Sequence, residues 1–323
     1  MKKTRRITKP TVSWILFALI GFIVLTVLFN VGILKRSHQI AIIAIMINII
    51  LAASLNLILG IAGQFSLGHA GFMSIGAYSV ALTLQKIPSY WGFIIGILVG
   101  FLITGIVSLI VSIPTLRLKG DYLAIATLGI SEIIRIVIVN FESITGGARG
   151  ITSIPRYPTF GFIYLMTILT LYILSALKNS RFGRAWYGVQ EDDLASSAMG
   201  LNLTQQKVSA FLVGALFASL AGAIYASYYT IIQPSLFDFN KSVDILVIAV
   251  LGGLGSFTGT IISAITIGLI NLIFQKYAQE RVIIYSILLI VMMIFKPGGL
   301  LGKYEVRFRR IWKRREQDAT IKD

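Results

Sequence analysis

From Thr11 onward the chain keeps returning to apolar runs of roughly 20 residues, the length needed to cross a hydrocarbon layer, with short polar stretches between them. Of its 323 residues 56% are hydrophobic and 13% charged, and the mean hydropathy is +0.84. A soluble domain carries nearer a quarter of charged residues, because charge keeps its surface wet. This composition requires an apolar solvent, so the chain reads as an all-α polytopic integral membrane protein.

The apolar windows predict ten crossings, at 12–33, 40–59, 64–85, 91–113, 122–140, 160–177, 208–228, 242–255, 259–275 and 282–296. They form one transmembrane domain over 12–298, flanked by basic tails at 1–11 and 299–323. The first stretch has the basic start of a signal peptide. Its apolar run is too long for an h-region and no small-residue cleavage site follows, which predicts a retained helix. The net charge of +16 would suggest nucleic acid in a soluble protein. Here it concentrates at the termini and in a few loops, where anionic headgroups and the positive-inside rule place it. The segments this assigns to the inner side carry more than twice the lysines and arginines of the outer ones, which predicts both termini in the cytoplasm. Loops 141–159 and 229–241 then lie outside, and loop 178–207 inside. Cysteine is absent, which removes disulfides, thiolate nucleophiles and Cys-ligated metals.

The inner loop reads KNSRFGRAWYGVQEDDLASSAMGLNLTQQK. Glu191, Asp192 and Asp193 suit a helix N-terminus, and Gly200 a stop. Between them Leu194, Ala195, Ala198 and Met199 share one face, and Ser196 and Ser197 the other. The spacing predicts a short amphipathic helix of about 13 Å. Helices that lie on headgroups carry Lys or Arg on the polar face. This one carries acids, so a protein partner fits it better than lipid.

The chain lacks the GxxxxGK[ST] loop that cradles phosphates. Any ATP chemistry is therefore expected on another chain, and this one is expected not to be an enzyme. An ion-coupled carrier needs ionisable groups inside the membrane. The candidates are Asp244 and the pair Glu132 and Arg135, whose i,i+3 spacing allows a structural ion pair closing on itself. His38 and His69 lack the companions a catalytic or metal set requires.

Four segments together carry a family resemblance: GQFSLGHAGFMSIGAY (63–78), RLKGDYLAIATLGISEIIR (117–135), SRFGRAWYGVQEDDLASSAMGLN (180–202) and VLGGLGSFTGTIISA (250–264). TGGARGI (145–151), which begins at Thr145, and PGGLLG (297–302) support them. The order resembles the LivM-like permease subunits of branched-chain amino acid ABC importers, over most of the chain from about Leu55 to Gly302. The resemblance implies the permease fold of such importers in a bacterial cell membrane. It also implies a heterodimer with a second homologous permease, an extracytoplasmic binding protein, and two cytoplasmic ATPase subunits that hold ATP and magnesium, with no cofactor on this chain. It assigns docking on the ATPase to loop 180–202, notably Arg181, Gly183, Arg184, Glu191, Asp192, Ala195, Met199 and Gly200. Gln190 departs from the arginine expected there. The implied activity is uptake of leucine, isoleucine or valine. Urea and short amides are the rival substrates within the fold, and an ion-coupled carrier is the rival outside it.

Within GQFSLGHAGFMSIGAY, Gly63, Ser66, Ala70, Ser74, Ala77 and Ala81 recur at helical spacing as a stripe of small side chains, the surface that lets membrane helices approach closely. Gly63 is a place for the helix to break, with Gln64 able to satisfy freed backbone groups. His69 falls about 60° from the stripe, towards Phe65 and Phe72. Gln64, Ser66 and His69 here, with Glu132, Arg135, Thr145 and Asp244 elsewhere in the chain, are the polar candidates for a translocation path or for packing within the bundle.

Overall fold

The computed structural model describes residues 21–26, 36–115, 118 and 120–274, together with 287, 290, 291, 294, 299, 300 and 302. Ten helices of six or more residues organise the region from Arg36 to Ile273: α1 (Arg36–Asn56), α2 (His69–Lys86), α3 (Tyr90–Thr115), α4 (Asp121–Asn140), α5 (Phe160–Lys178), α6 (Arg181–Glu191), α7 (Asp193–Ala198), α8 (Leu203–Tyr229), α9 (Phe239–Gly252) and α10 (Phe257–Ile273). Most of the first and last expected crossings, 12–33 and 282–296, and nearly all of both tails lie outside the described residues. Among the described residues, five helical stretches are long and apolar enough to cross a membrane: Ser37–Ile61, Tyr90–Thr115, Asp121–Asn140, Phe160–Lys178 and Leu203–Tyr229.

Three of the remaining expected crossings are shifted or short. The third, expected from residue 64, begins as a helix only at His69. The eighth runs from Phe239 to Gly252, about 21 Å at 1.5 Å per residue, because Gly253 at φ +105° ends it. The ninth is the 17-residue α10.

The helices sort by side-chain size rather than by hydropathy. The best apolar window is 78% buried in α1 and 61% in α8, against 22% in each of α3, α4 and α5. Glycine-, alanine- and serine-rich α2 has 14 of its 18 residues buried. It packs on α8, α3 and α4, while α1 packs on α8, α5, α9 and α10. A Cβ on Gly76 would overlap the Ser219 carbonyl of α8, and one on Gly222 would overlap the Met73 carbonyl of α2. Glycine at both positions is what permits this backbone-to-backbone approach.

Short polar devices terminate the helices. Asn202, Asp238 and Ser256 cap α8, α9 and α10 by accepting from Gln205, Lys241 and Gly259 N–H respectively. At one end of the bundle, loops 141–159 and 229–241 meet through an isolated bridge between Ile151 and Ile232. Arg156 sits 4.0 Å from the centre of the Tyr228 ring at the same end. The helices α6 and α7 form an elbow at the opposite end, where the buried Trp186 donates from Nε1 to Ser209 Oγ at 3.0 Å.

A helix break joined to a surface elbow

Between α1 and α2 the backbone leaves the helix. After α1 a single π-turn, Leu57–Ile61, carries the chain to Ala62, and residues 62–68 are not helical. Gly63 holds φ at +66°, a conformation that favours glycine. A Cβ there would also lie 2.8 Å from Cγ of Gln190 on α6. The break expected at Gly63 is therefore present, and it faces the elbow.

Several of the freed polar groups in this segment find specific partners, as burial demands, while the buried Oε1 of Gln64 has none among the described residues. Gln64 is buried and donates from Nε2 to the Lys207 carbonyl at 3.0 Å. Ser66 Oγ accepts from Gly68 N–H at 3.3 Å, and Leu67 N–H donates to Thr127 Oγ1 at 3.0 Å. His69 lies buried with Nε2 2.9 Å from Ser54 Oγ. Ser54 also sits 2.9 Å from Leu51 O. With its one proton directed to that carbonyl, the imidazole donates to Ser54. The expected hydrogen bond within the bundle is thus the contact His69 makes. The continuous small-residue stripe is corrected: Gly63 and Ser66 precede the helix and share no face with Ala70, Ser74, Ala77 and Ala81.

The elbow also differs from the single helix expected. Glu191 is the last residue of α6 rather than the start of the next helix. The break falls at Asp192, which has extended backbone and whose Oδ1 accepts from Leu194 N–H at 2.8 Å and Ala195 N–H at 3.0 Å. The short α7 therefore begins one residue after the first two acids, and Gly200 ends the turn at φ +84°. Leu194 and Met199 are each 83% exposed, and Ala195 and Ala198 are exposed as well. Ser196 is buried while Ser197 is exposed, so the two serines do not share a face. Arg181 and Arg184 are exposed on α6, and Gly183 is buried where a Cβ would overlap the Lys178 carbonyl.

Lys207 joins the two structures. Its Nζ is 2.9 Å from Asp193 Oδ2 at the start of α7, with both side chains three-quarters or more buried. Its carbonyl is the acceptor for Gln64. A cavity of about 440 Å³ lies beside this junction, lined by Gly63, Gln64, Gln190, Asp192, Asp193 and Lys207 among others. The remaining candidates stand apart from it. Glu132 and Arg135 pair on α4, with Nη2 and Nε each 2.7 Å from Oε2. Thr145 closes the turn after α4, its Oγ1 2.6 Å from Ile138 O and 2.9 Å from Phe141 O. Asp244 is exposed on α9.

One anchor escaped the sequence reading. Asn56, fully buried at the end of α1, donates from Nδ2 towards Gly253 O at 3.1 Å, Ser256 O at 3.1 Å and Thr260 Oγ1 at 2.7 Å, and accepts from Gly255 N–H at 2.7 Å. It holds the GGLGS turn between α9 and α10. A lone asparagine in an apolar run was its only signal.

A helical bundle with a broken span and a surface elbow is the form of a multi-pass membrane permease. Residues 39–296 match the family described as branched-chain amino acid transport system / permease component, and the chain belongs to that family. It is 33% identical over 264 residues to the high-affinity branched-chain amino acid transport system permease protein LivM of Salmonella typhimurium, covering 70% of this chain and 61% of that protein. It is also 33% identical, over 262 residues and with the same coverage, to LivM of Escherichia coli K12. LivH of Escherichia coli K12, a permease protein of the same named transport system, is 30% identical over 147 residues, 45% of this chain and 47% of its own. The chain thus spans about 61% of the length of these LivM relatives. No solved structure matches it.

Proposed function

We propose that this chain is a permease subunit of an ATP-driven importer of branched-chain amino acids in a bacterial inner membrane. It works with a second homologous permease, two ATPase subunits that bind ATP and magnesium, and an extracytoplasmic binding protein. Ten crossings with both termini in the cytoplasm complete the arrangement, which puts the elbow on the ATPase side and loops 141–159 and 229–241 on the receptor side.

The observation that carries this reading is the elbow itself. Its apolar Leu194 and Met199 stand in the open on a short capped helix, beside exposed Arg181, Arg184, Glu191 and Asp192. Exposed apolar side chains rimmed by charge mark a protein contact. The elbow is not isolated from the spans, since Asp193 binds Lys207 and Lys207 holds Gln64. A displacement of α7 by ATP-driven closure of the ATPases therefore pulls on the non-helical segment 62–68. That segment can respond because its backbone follows no continuous helix: only Ala62 and Gln64 N–H, bonded to Leu57 and Ile58 O, and Gly68 O, which accepts from α2, tie it to the flanking turns. Glu132 and Arg135 are held in an ion pair with one another, which argues against an ion-coupled cycle run through them.

The test is uptake of labelled leucine by proteoliposomes holding the whole complex. Isoleucine and valine are expected to compete and urea is not. Replacing Leu194 and Met199 together by serine is expected to abolish uptake while the binding protein still binds leucine. Uptake that continues without the ATPases, or that urea blocks and leucine does not, overturns the reading.

A further inference from the structure

The helices at the bundle's edge present different outer faces. On α3 the exposed residues include Leu98, Leu102, Ile106 and Ile110, and on α5 Leu165 and Leu169. Such rows suit hydrocarbon. On α4 the exposed isoleucines Ile125, Ile133 and Ile136 are interrupted by Gly129, which like Gly105 of α3 has open space where a side chain would stand, and, unlike α3, by Glu132 and Arg135, whose side chains are 30% and 31% exposed. The opposite face of α4 is already occupied: Leu123, Ala124, Thr127 and Ser131 are buried, and a Cβ on Gly71 of α2 would lie 2.8 Å from Ser131 Cα.

Lipid cannot cover this face at low cost. Glu132 stands eight residues before the end of α4, about 12 Å of helix, beyond the reach of a glutamate side chain to the headgroups. Arg135 is held to it through Nε and Nη2, and both contacts fall on Oε2. Oε1 of the glutamate and Nη1 of the arginine therefore remain for whatever covers the helix. Charged groups within a span face protein or a water-filled path rather than acyl chains, and a small residue on the same face allows another helix to come close.

We infer that the outer face of α4, centred on Gly129, Glu132 and Ile133, is the contact surface for the second permease subunit, whose facing helix offers polar groups to the ion pair. The inference rests on the permease reading above. It adds which of the edge helices meets the partner: α4 does, and α3 faces lipid.

The absence of cysteine in this chain makes the test direct. Single variants Gly129→Cys and Ile133→Cys on α4, and Leu102→Cys and Ile106→Cys on α3, are labelled with benzophenone maleimide in membranes holding the complete complex and then irradiated. The α4 positions are expected to crosslink to the second permease subunit, with lipid adducts on the order of tenfold fewer than from the α3 positions. If Gly129→Cys prevents assembly, Ile133→Cys reads the same face. Lipid adducts from Ile133→Cys at the α3 yield overturn the inference, as does a crosslink only to another copy of this chain. Either result leaves the transport reading standing. Conversely, a crosslink to the second permease in a complex that takes up no branched-chain amino acid keeps the surface and removes the substrate.

Discussion

Helices α2 and α3 lie side by side, yet their compositions and surroundings are inverted. The helix α3 is the more apolar of the two, with the highest mean hydropathy of the five long spans among the described residues, 2.8, and yet its best window is only 22% buried. Its neighbour α2 is built from Gly, Ala and Ser with His69 at its head, and is buried almost throughout. In water the more apolar helix would take the inside. In a bilayer the lipid is as apolar as leucine, so hydropathy marks what lipid can solvate and small size marks what packs. The helix α2 also starts at the break that touches the elbow.

The sharpest way to break that contrast is to enlarge the interior. Gly76→Leu places side-chain atoms where the Ser219 carbonyl stands, and overpacking of this kind costs about 3 kcal/mol or more. The expected outcome is loss of the folded subunit, read as aggregation on detergent extraction. The matched change on α3, Leu102→Ala, should leave extraction and melting nearly unchanged. Equal sensitivity at the two sites would mean that size does not mark the interior.

A second, smaller loss is expected for Asn56→Leu, which keeps volume but removes every hydrogen bond to the turn 253–256. Leaving Gly255 N–H and its neighbours unmatched costs roughly 1–3 kcal/mol per stranded group, and a lower melting temperature of the complex reads it. Next comes the link from elbow to break. Lys207→Met takes the ammonium from a largely buried pair with Asp193, a loss of up to about 3 kcal/mol, so intact extraction of the complex is checked first. ATP hydrolysis is expected to continue while leucine moved per ATP falls severalfold. The exchange Asp193→Lys with Lys207→Asp should restore part of the coupling. If Lys207→Met transports normally, the elbow acts on the break by another route. The smallest effect belongs to His69→Asn, expected to lower stability by about 1 kcal/mol with uptake retained. Loss of uptake in a stable variant would give His69 a place on the substrate path.

Much of this was legible beforehand for local reasons. Span positions follow from runs of apolar residues, the break follows from Gly63, and the Glu132–Arg135 pair follows from helical spacing alone. The elbow was legible only in part. Its α7 end carried the acids and the Gly200 stop, but two glycines and three aromatics in RFGRAWYGVQE hid the helix α6. Only docking makes sense of that segment, since Gly183, Trp186 and Val189 are the residues it buries. Why Asp192 rather than Glu191 breaks the chain was equally hidden, because all three acids suit a first turn and only one can cap it.

What the sequence determined by itself is the solvent this protein needs and the order of its helices, since hydropathy, small-residue spacing and glycine are properties of neighbours along the chain. What tertiary structure decided is which polar groups meet. Asn56 finds a turn some 200 residues away, Gln64 finds the carbonyl of Lys207 143 residues on, and Lys207 finds Asp193 across the elbow. Such pairings carry no local period, because a buried amide requires only a partner of the right polarity within 3 Å or so, and the fold selects which one arrives.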